Sequence, residues 1–421
     1  MSEKIHFYKK QSSACICCGK CCDCGWPVPV TSAEVARISA LDFSDWSGRA
    51  PSYFKKTLRG IYLRKRTNKL CIFLDSDGLC IIHKKFGFDA KPLACRLYPM
   101  DVYKWRDGSV SASFRYDCPA VAGGVRMEQP KELSKSIMAF ASELFRYRGK
   151  YAEAFYSRRI HPEVERLHTI AHAYQRILFY DRIMPEIRFY AAVRLLLFHS
   201  IRKNSSDILE AEEFEADAFA FFKRSIEHLT SIVEDAEKIR RDQLVRFRYL
   251  IWCFLRDDSR ATLAEHFPMA FAALRFLLGK GTLKRSLLNL DVRAGELFIL
   301  LCRCRRKENA LEPYFRFLRG RLESMHFCGS PALGLTFEYG MAYLLMTFPV
   351  VMVLASVLAG RRGDFLITEE DVTKALILTD HGFLRSKLFT RRSTKSAVWN
   401  LMKGEDYAFL MKLCLRQKSV S

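Results

Sequence analysis

Residues 15–24 read Cys-Ile-Cys-Cys-Gly-Lys-Cys-Cys-Asp-Cys, six thiols in ten positions. Cys71, Cys80, Cys95 and Cys118 follow, so ten of the 15 cysteines fall within the first 118 residues. Such a density implies a use for the thiols, either disulfides or metal. The opening Met1 to Lys10 carries charges where a signal peptide would need a continuous apolar stretch, so a cytoplasmic, reducing compartment is expected. Adjacent pairs such as Cys17-Cys18 and Cys21-Cys22 also make poor disulfide partners, because bridged Cα atoms sit about 4.4–6.8 Å apart with a restricted torsion. Metal ligation is the better reading.

Thiolate sulfur is a soft ligand that selects zinc, copper(I) or iron-sulfur clusters, and two cysteines separated by two residues can turn both sulfurs toward one centre. Cys15-x-x-Cys18-x-x-Cys21-Cys22 supplies that spacing twice. Gly19 can take a positive φ that wraps the backbone around a ligand, and Lys20 places positive charge beside the thiolates. Neighbouring Cys21 and Cys22 are expected to diverge in direction, which suits two centres or one multi-metal cluster better than a single tetrahedral ion. Cys71, Cys80, Cys95 and Cys118 would close the site from other parts of the module. These eight thiols form the ligand pool, enough for two tetrahedral sites or for one four-thiolate cluster with spares. Lys91 and Arg96 are nearby positive charges, and Arg96 could equally make a structural salt bridge.

Outward from this stretch, the first 124 residues read as a small, loop-rich α+β metal-binding module. Thr31-Ser32-Ala33-Glu34 has capping-box spacing and opens a short helix through about Ala40. Leu70 to Leu74 and Cys80 to His83 are brief β-like runs, and Tyr98 to Trp105 with Val110 to Tyr116 flank a turn as a hairpin. Residues 125–421 then show apolar positions at helical spacing, giving a mainly α fold with a large all-α domain. Helices are expected over 131–147, 162–180, 186–202, 210–256 with a break, 260–278, 292–305, 314–325, 369–378 and 396–415. Tyr339 to Gly360 carries no charge and is long enough to cross a bilayer, but Pro349 and the amphipathic flanks favour a helix buried in a protein core.

A chain of 421 residues can bury ample core without metal, so the cysteines do not compensate for small size. The formal net charge of +22 could attract nucleic acid, anionic lipid or an acidic protein. No groove-entering motif accompanies the basic runs at 59–69, 303–307, 316–321 and 385–395, so nucleic acid is the weaker choice. Gly279-Lys280-Gly281 follows a helix without a preceding strand and is not read as a nucleotide loop.

The ordered set Cys15-x-x-Cys18-Gly-Lys-Cys21-Cys22, Pro29-Val30-Thr31-x-x-Glu34, Cys71-Ile72-Phe73-Leu74, Cys80-Ile81-Ile82, Lys91-Pro92-x-x-Cys95-Arg96-x-Tyr98-Pro99 and Cys118-Pro119 resembles the YkgJ-like cysteine-cluster family. That resemblance implies zinc or iron chelation by residues 12 to about 124. Cys17 and Cys24 are extra to the family pattern and read as spare thiols or substitute ligands. His83 stands where the family usually has Tyr and reads as an ordinary half-buried histidine. Cys253, Cys302, Cys304 and Cys414 read as core or surface thiols.

In length and layout the chain also looks like the flagellin lysine N-methylases within that family. This likeness implies an iron-sulfur (4Fe-4S) cluster on the cysteines and methyl transfer from S-adenosylmethionine to lysines of an acidic, flagellin-like protein. No motif beyond the cysteine module carries it, and the catalytic and cofactor-binding residues stay unassigned. A non-enzymatic zinc-structured interaction or metal-handling protein is the alternative.

Overall fold

The computed structural model describes residues 4–11, 15–23, 26–48, 50, 52–68, 70–125, 130–157, 163–201, 223–225, 227, 241–255, 266–285, 290–383, 386–403, 405–415 and 419–420. The architecture is mainly α, with a small α+β region at the N-terminal side. Cys24 and most of the 202–265 stretch lie outside the described residues.

Thr31 caps the Ser32–Ser39 helix as its spacing predicts, with its side chain accepting from Glu34 N while the Glu34 carboxylate accepts from the Thr31 amide. The hairpin also forms, pairing Met100–Lys104 with Val110–Phe114 antiparallel, and Ile5–His6 joins the latter strand in parallel. A second sheet sets Gly60–Leu63 between Pro29–Val30 and Phe54–Thr57.

The β-like runs are a correction. Leu70 to Leu74 and Cys80 to His83 make only the isolated bridges Lys65 to Cys71 and Leu74 to Cys80, and Ile81–Phe86 is a helix. A four-residue apolar run does not reveal its period, and here Ile81 and Ile82 are buried by a turn of helix.

Two apolar cores result. The smaller holds Phe43, Trp46, Phe73, Ile81 and Ile82, with Tyr53 and Phe86 packed on it and the rings of Phe43 and Phe73 5.6 Å apart. The larger unites the Met100–Phe114 hairpin and the Pro119–Ala122 helix with the C-terminal helices. The module therefore reaches the helical body through its sheet.

The expected helices appear as Pro130–Arg148, Val164–Leu178, Pro185–Ile201, Arg241–Leu255, His266–Leu277, Glu312–Glu323 and Glu369–Gly382. The stretch 396–415 divides into Arg392–Met402 and Glu405–Leu415. Short strands interrupt the all-α expectation. Leu290–Arg293 pairs with Thr282–Arg285, and Arg305–Lys307 pairs in parallel with Leu366–Ile367 and Ser419–Val420. The expected 292–305 helix thus shrinks to Leu297–Arg303, because Leu290 and Val292 alternate inward with a strand period.

Phe337–Arg362 is one helix that continues past Pro349. Thr336 caps it by accepting from Tyr339 N, and Gly363 ends it at φ 83°, a conformation that favours glycine. Among the described residues it is the helix long and apolar enough to cross a membrane, yet 94% of its most apolar window is buried inside the protein. Phe348 stacks on Phe189 at 4.4 Å, Tyr314 and Thr347 share a hydroxyl hydrogen bond of 2.9 Å, and Tyr407 Oη donates to Leu345 O at 3.2 Å. A helix buried all round is apolar on every face for that reason.

Several basic residues are structural. Arg306 and Arg321, both from the basic runs, are buried in ion pairs with Glu186 and Asp380. They add to the net charge without adding to a surface field.

Candidate metal centre

The thiols gather at the seam between the two cores. Cys71 belongs to the smaller core with Cys22, Cys80 and Cys95 packed against it, while Cys118 belongs to the larger. Short elements hold each one. Cys21 and Cys22 ride the Lys20–Asp23 turn of helix, Cys95 sits in Leu93–Leu97, and Cys80 and Cys118 each precede a short helix. Cys71 N donates to Cys22 O at 2.9 Å, which locks two distant parts of the chain together.

Gly19 shows why the opening loop needs glycine. Its φ is +66°, and a Cβ there would stand 2.4 Å from Gly78 O. The loop carrying Cys15 and Cys18 therefore lies directly against the Asp75 to Gly78 turn that precedes Cys80.

Cys22 is the hub of an inner set, its thiol interacting with those of Cys21, Cys71 and Cys80. These three sulfurs and then burial push the Cys22 thiol up. The same contact with Cys22 pulls its neighbours down, Cys21 to about 7 and Cys80 to about 6, with Cys71 also lowered. The amides of His83 and Ile82 and the charge of Lys91 assist at Cys80. Cys21 and Cys22 thus meet where divergence was expected.

Cys15, Cys18, Cys21, Cys95 and Cys118 line an adjacent cavity of about 320 Å³ together with His83 and Lys91. Its far wall is apolar, built from Met100, Phe114, Leu133 and Phe140. Burial raises the Cys95 and Cys118 thiols. Cys15 and Cys18 are exposed at the mouth. Cys17 has an exposed thiol, raised by its interaction with the Cys15 side chain, and its amide donates to Cys15 Sγ at 3.4 Å.

All eight thiols of the expected pool are therefore found around this cavity and the hub, as two groups of four: Cys21, Cys22, Cys71 and Cys80 inside, Cys15, Cys18, Cys95 and Cys118 outside. Among the described residues no three Cys, His, Asp or Glu side chains already stand at coordination spacing. Their chemistry fits a soft metal all the same. Among the described residues sulfur is the main donor at this site, the Cys21, Cys71 and Cys80 thiols are lowered, and Lys91 offsets the accumulated negative charge.

Arg96 takes the structural role, donating to Glu143 at 2.5 Å. His83 lies on the cavity wall with its ring edge-on to Phe88 at 6.0 Å. Arg96, Tyr98 and Met100 also form the boundary of a larger groove of about 1010 Å³ that contains Trp26, Asp101 and Glu143. The Arg115 guanidinium stacks on Trp26 and Tyr98 at 5.5 and 5.0 Å and pairs with Asp117 at 2.5 Å. Glu143, Leu133 and Phe140 come from the Pro130–Arg148 helix, beyond the expected module, and no local sequence signal marks them.

Residues 14–115 match the profile of the CxxCxxCC family, described as "Putative zinc- or iron-chelating domain". Among curated proteins the chain is similar to the uncharacterized protein MJ0939 of Methanocaldococcus jannaschii, with 28% identity over 141 residues. That alignment covers 33% of this chain and 45% of the relative, so the chain spans under half of that protein's length. No solved structure matches.

Proposed function

We propose, from a module of the zinc- or iron-chelating cysteine-cluster type, that the chain is a metal-dependent protein-lysine N-methyltransferase. Its methyl donor would be S-adenosylmethionine and its acceptor an acidic, flagellin-like protein. The observation that carries this reading is the contiguity of the thiol cavity with the large groove, across Arg96, Tyr98 and Met100. A bound iron-sulfur cluster would supply a redox-active centre there, and a zinc ion held by thiolates would supply a structural one. Cys21, Cys22, Cys71 and Cys80 are assigned as its inner ligands, with Cys15, Cys18, Cys95 and Cys118 as the outer four.

The groove offers aromatic faces, on Trp26 and Tyr98, beside the carboxylates of Asp101 and Glu143. Arg115 already stacks on both rings and Arg96 pairs with Glu143, so an incoming ammonium group would displace a guanidinium to gain the cation-π and charge interactions of this surface. A substrate lysine laid there would point toward the cavity, and the net charge of +22 would favour an acidic protein around it.

A non-enzymatic zinc or metal-handling role is the second reading, favoured by the exposure of Cys15 and Cys18, which leaves a path for metal exchange. Anaerobic purification with metal and acid-labile sulfide analysis, followed by incubation with S-adenosylmethionine and flagellin, separates the two. Iron, sulfide and a mass-detected methyl-lysine are expected. A colourless zinc protein that transfers no methyl group would overturn the enzyme assignment and support the second reading.

A further inference from the structure

The helical body holds a second cavity, of about 710 Å³, away from the cysteines. Arg188 and Arg306 line it, although they are only 6% and 3% exposed. The buried Glu186 carboxylate accepts from Arg306 Nη1 at 2.8 Å and acts on Arg188 through its charge. Arg188 Nη1 donates to Leu178 O at 2.9 Å, and its guanidinium lies 5.0 Å from the Phe315 ring. Among the described residues, Arg188 Nε and Glu186 Oε2 have no hydrogen-bond partner.

Two buried guanidiniums against one carboxylate leave a net positive floor. Burial, with Arg306 nearby, lowers Arg188 to about 10 against the opposing pull of Glu186 and Asp181. A buried charge that is only partly paired is costly, so such a floor is stabilised when an anion completes it. The rim is mostly of the opposite sign: the exposed Asp181, Glu308, Glu312 and Glu369 line the cavity against the exposed Arg182, with Glu369 3.8 Å from Arg316. A polyphosphate would meet repulsion there. A ligand that joins one carboxylate to a cationic group meets complementary charge at both ends.

We infer that this cavity binds the amino-acid end of a small zwitterionic ligand, with its carboxylate on Arg188 and Arg306 and its cationic group among the rim carboxylates. Its volume lies within the range of small-molecule sites and exceeds a bare amino acid, which leaves room for a large substituent. Two sources share this chemistry, a free cationic amino acid and a sulfonium such as S-adenosylmethionine. The inference does not depend on the role assigned to the cysteine cluster.

The test is isothermal titration calorimetry on the full, metal-replete chain with three probes: L-lysine, S-adenosylmethionine and inorganic phosphate. At least one of the first two is expected to bind at up to millimolar concentration. Arg188→Lys, which loses a guanidinium fork, and Glu312→Gln, an exposed change that leaves the fold alone, should each weaken binding by about tenfold. Binding of L-lysine alone or of S-adenosylmethionine alone, weakened in both variants, supports the inference and identifies the source. No binding of either, tighter binding of phosphate, or equal affinity in wild type and both variants overturns it. Since methyl transfer is not the readout, a failed methylase assignment and a failed cavity assignment remain distinguishable.

Discussion

Arg321 donates to Asp380 at 2.5 Å while the other oxygen of the same carboxylate accepts from the Tyr116 amide at 2.7 Å, all three groups being buried. The Glu312–Glu323 and Glu369–Gly382 helices are thereby fastened to the chain two residues before Cys118. Removing one charge of a buried pair leaves the other uncompensated and costs about 3–5 kcal/mol. Asp380→Asn should lower unfolding stability by that amount in urea titration. A loss below about 1 kcal/mol would show the pair to be dispensable.

Cys22 touches three other thiols, so it should matter more than any single outer cysteine. Cys21→Ser with Cys22→Ser is expected to abolish bound metal, which in thiolate sites contributes about 10–16 kcal/mol to folding. Limited proteolysis should then cut within residues 15–95 while the helical body survives. Equal resistance in mutant and wild type would refute the link between the thiols and the fold of this region.

Gly19 and Gly78 both have positive φ, but only Gly19 is crowded, its Cβ position being 2.4 Å from Gly78 O. Gly19→Ala must shift the Cys15 to Cys22 loop and should reduce metal content. Gly78→Ala meets open space and costs only the backbone strain, about 1–2 kcal/mol. Metal analysis of the two variants side by side decides whether loop position or mere glycine flexibility matters.

His326 is buried between Ser111 Oγ at 3.2 Å and the Tyr103 ring, and burial, then the charge of Arg321, holds it well below its usual range. His168, stacked on His6 at 3.8 Å, is pushed down to about 3 chiefly by burial and then by His6 and Lys4. Both are neutral when folded, and only the unfolded chain takes up their protons below about pH 6.5. Stability is therefore full above about pH 6.5 and falls as pH drops toward 3, by up to ~1.4 kcal/mol per pH unit for each histidine. Urea titrations at several pH values should show this slope, and His326→Gln should flatten it. An unchanged slope would remove His326 from the account.

Phe348 stacks on Phe189 within the body of the protein. Phe348→Ala should cost about 3–5 kcal/mol, as truncation of a buried aromatic does. Carbonate washing of host membranes should leave the chain in the supernatant. Retention in the pellet would reverse the reading of Phe337–Arg362 as a core helix.

The thiol set was legible because its donors are rare residues at short spacings, and the Thr31 cap and the hairpin because their signals are local. What lay out of reach depends on chain parts distant in sequence. Phe140 reaches the cavity and Glu143 the groove from a helix whose own pattern reports only that it is amphipathic. Arg306 and Arg321 read as members of basic runs, and only packing reveals that they are buried partners of single carboxylates. Ile81 and Ile82 fit a strand or a helix equally well until the neighbouring aromatic core selects one.

The Phe337–Arg362 helix, roughly 39 Å long at 1.5 Å per residue, also sets an order of events during synthesis. Helices Pro185–Ile201, Arg241–Leu255 and Leu297–Arg303 all pack on it, yet each leaves the ribosome first. Their apolar faces must wait for a partner not made until residue 362 has emerged, whereas the smaller core and the inner four thiols are complete by Cys95. A nascent chain should therefore load metal early and rely on chaperones for its helical part until late.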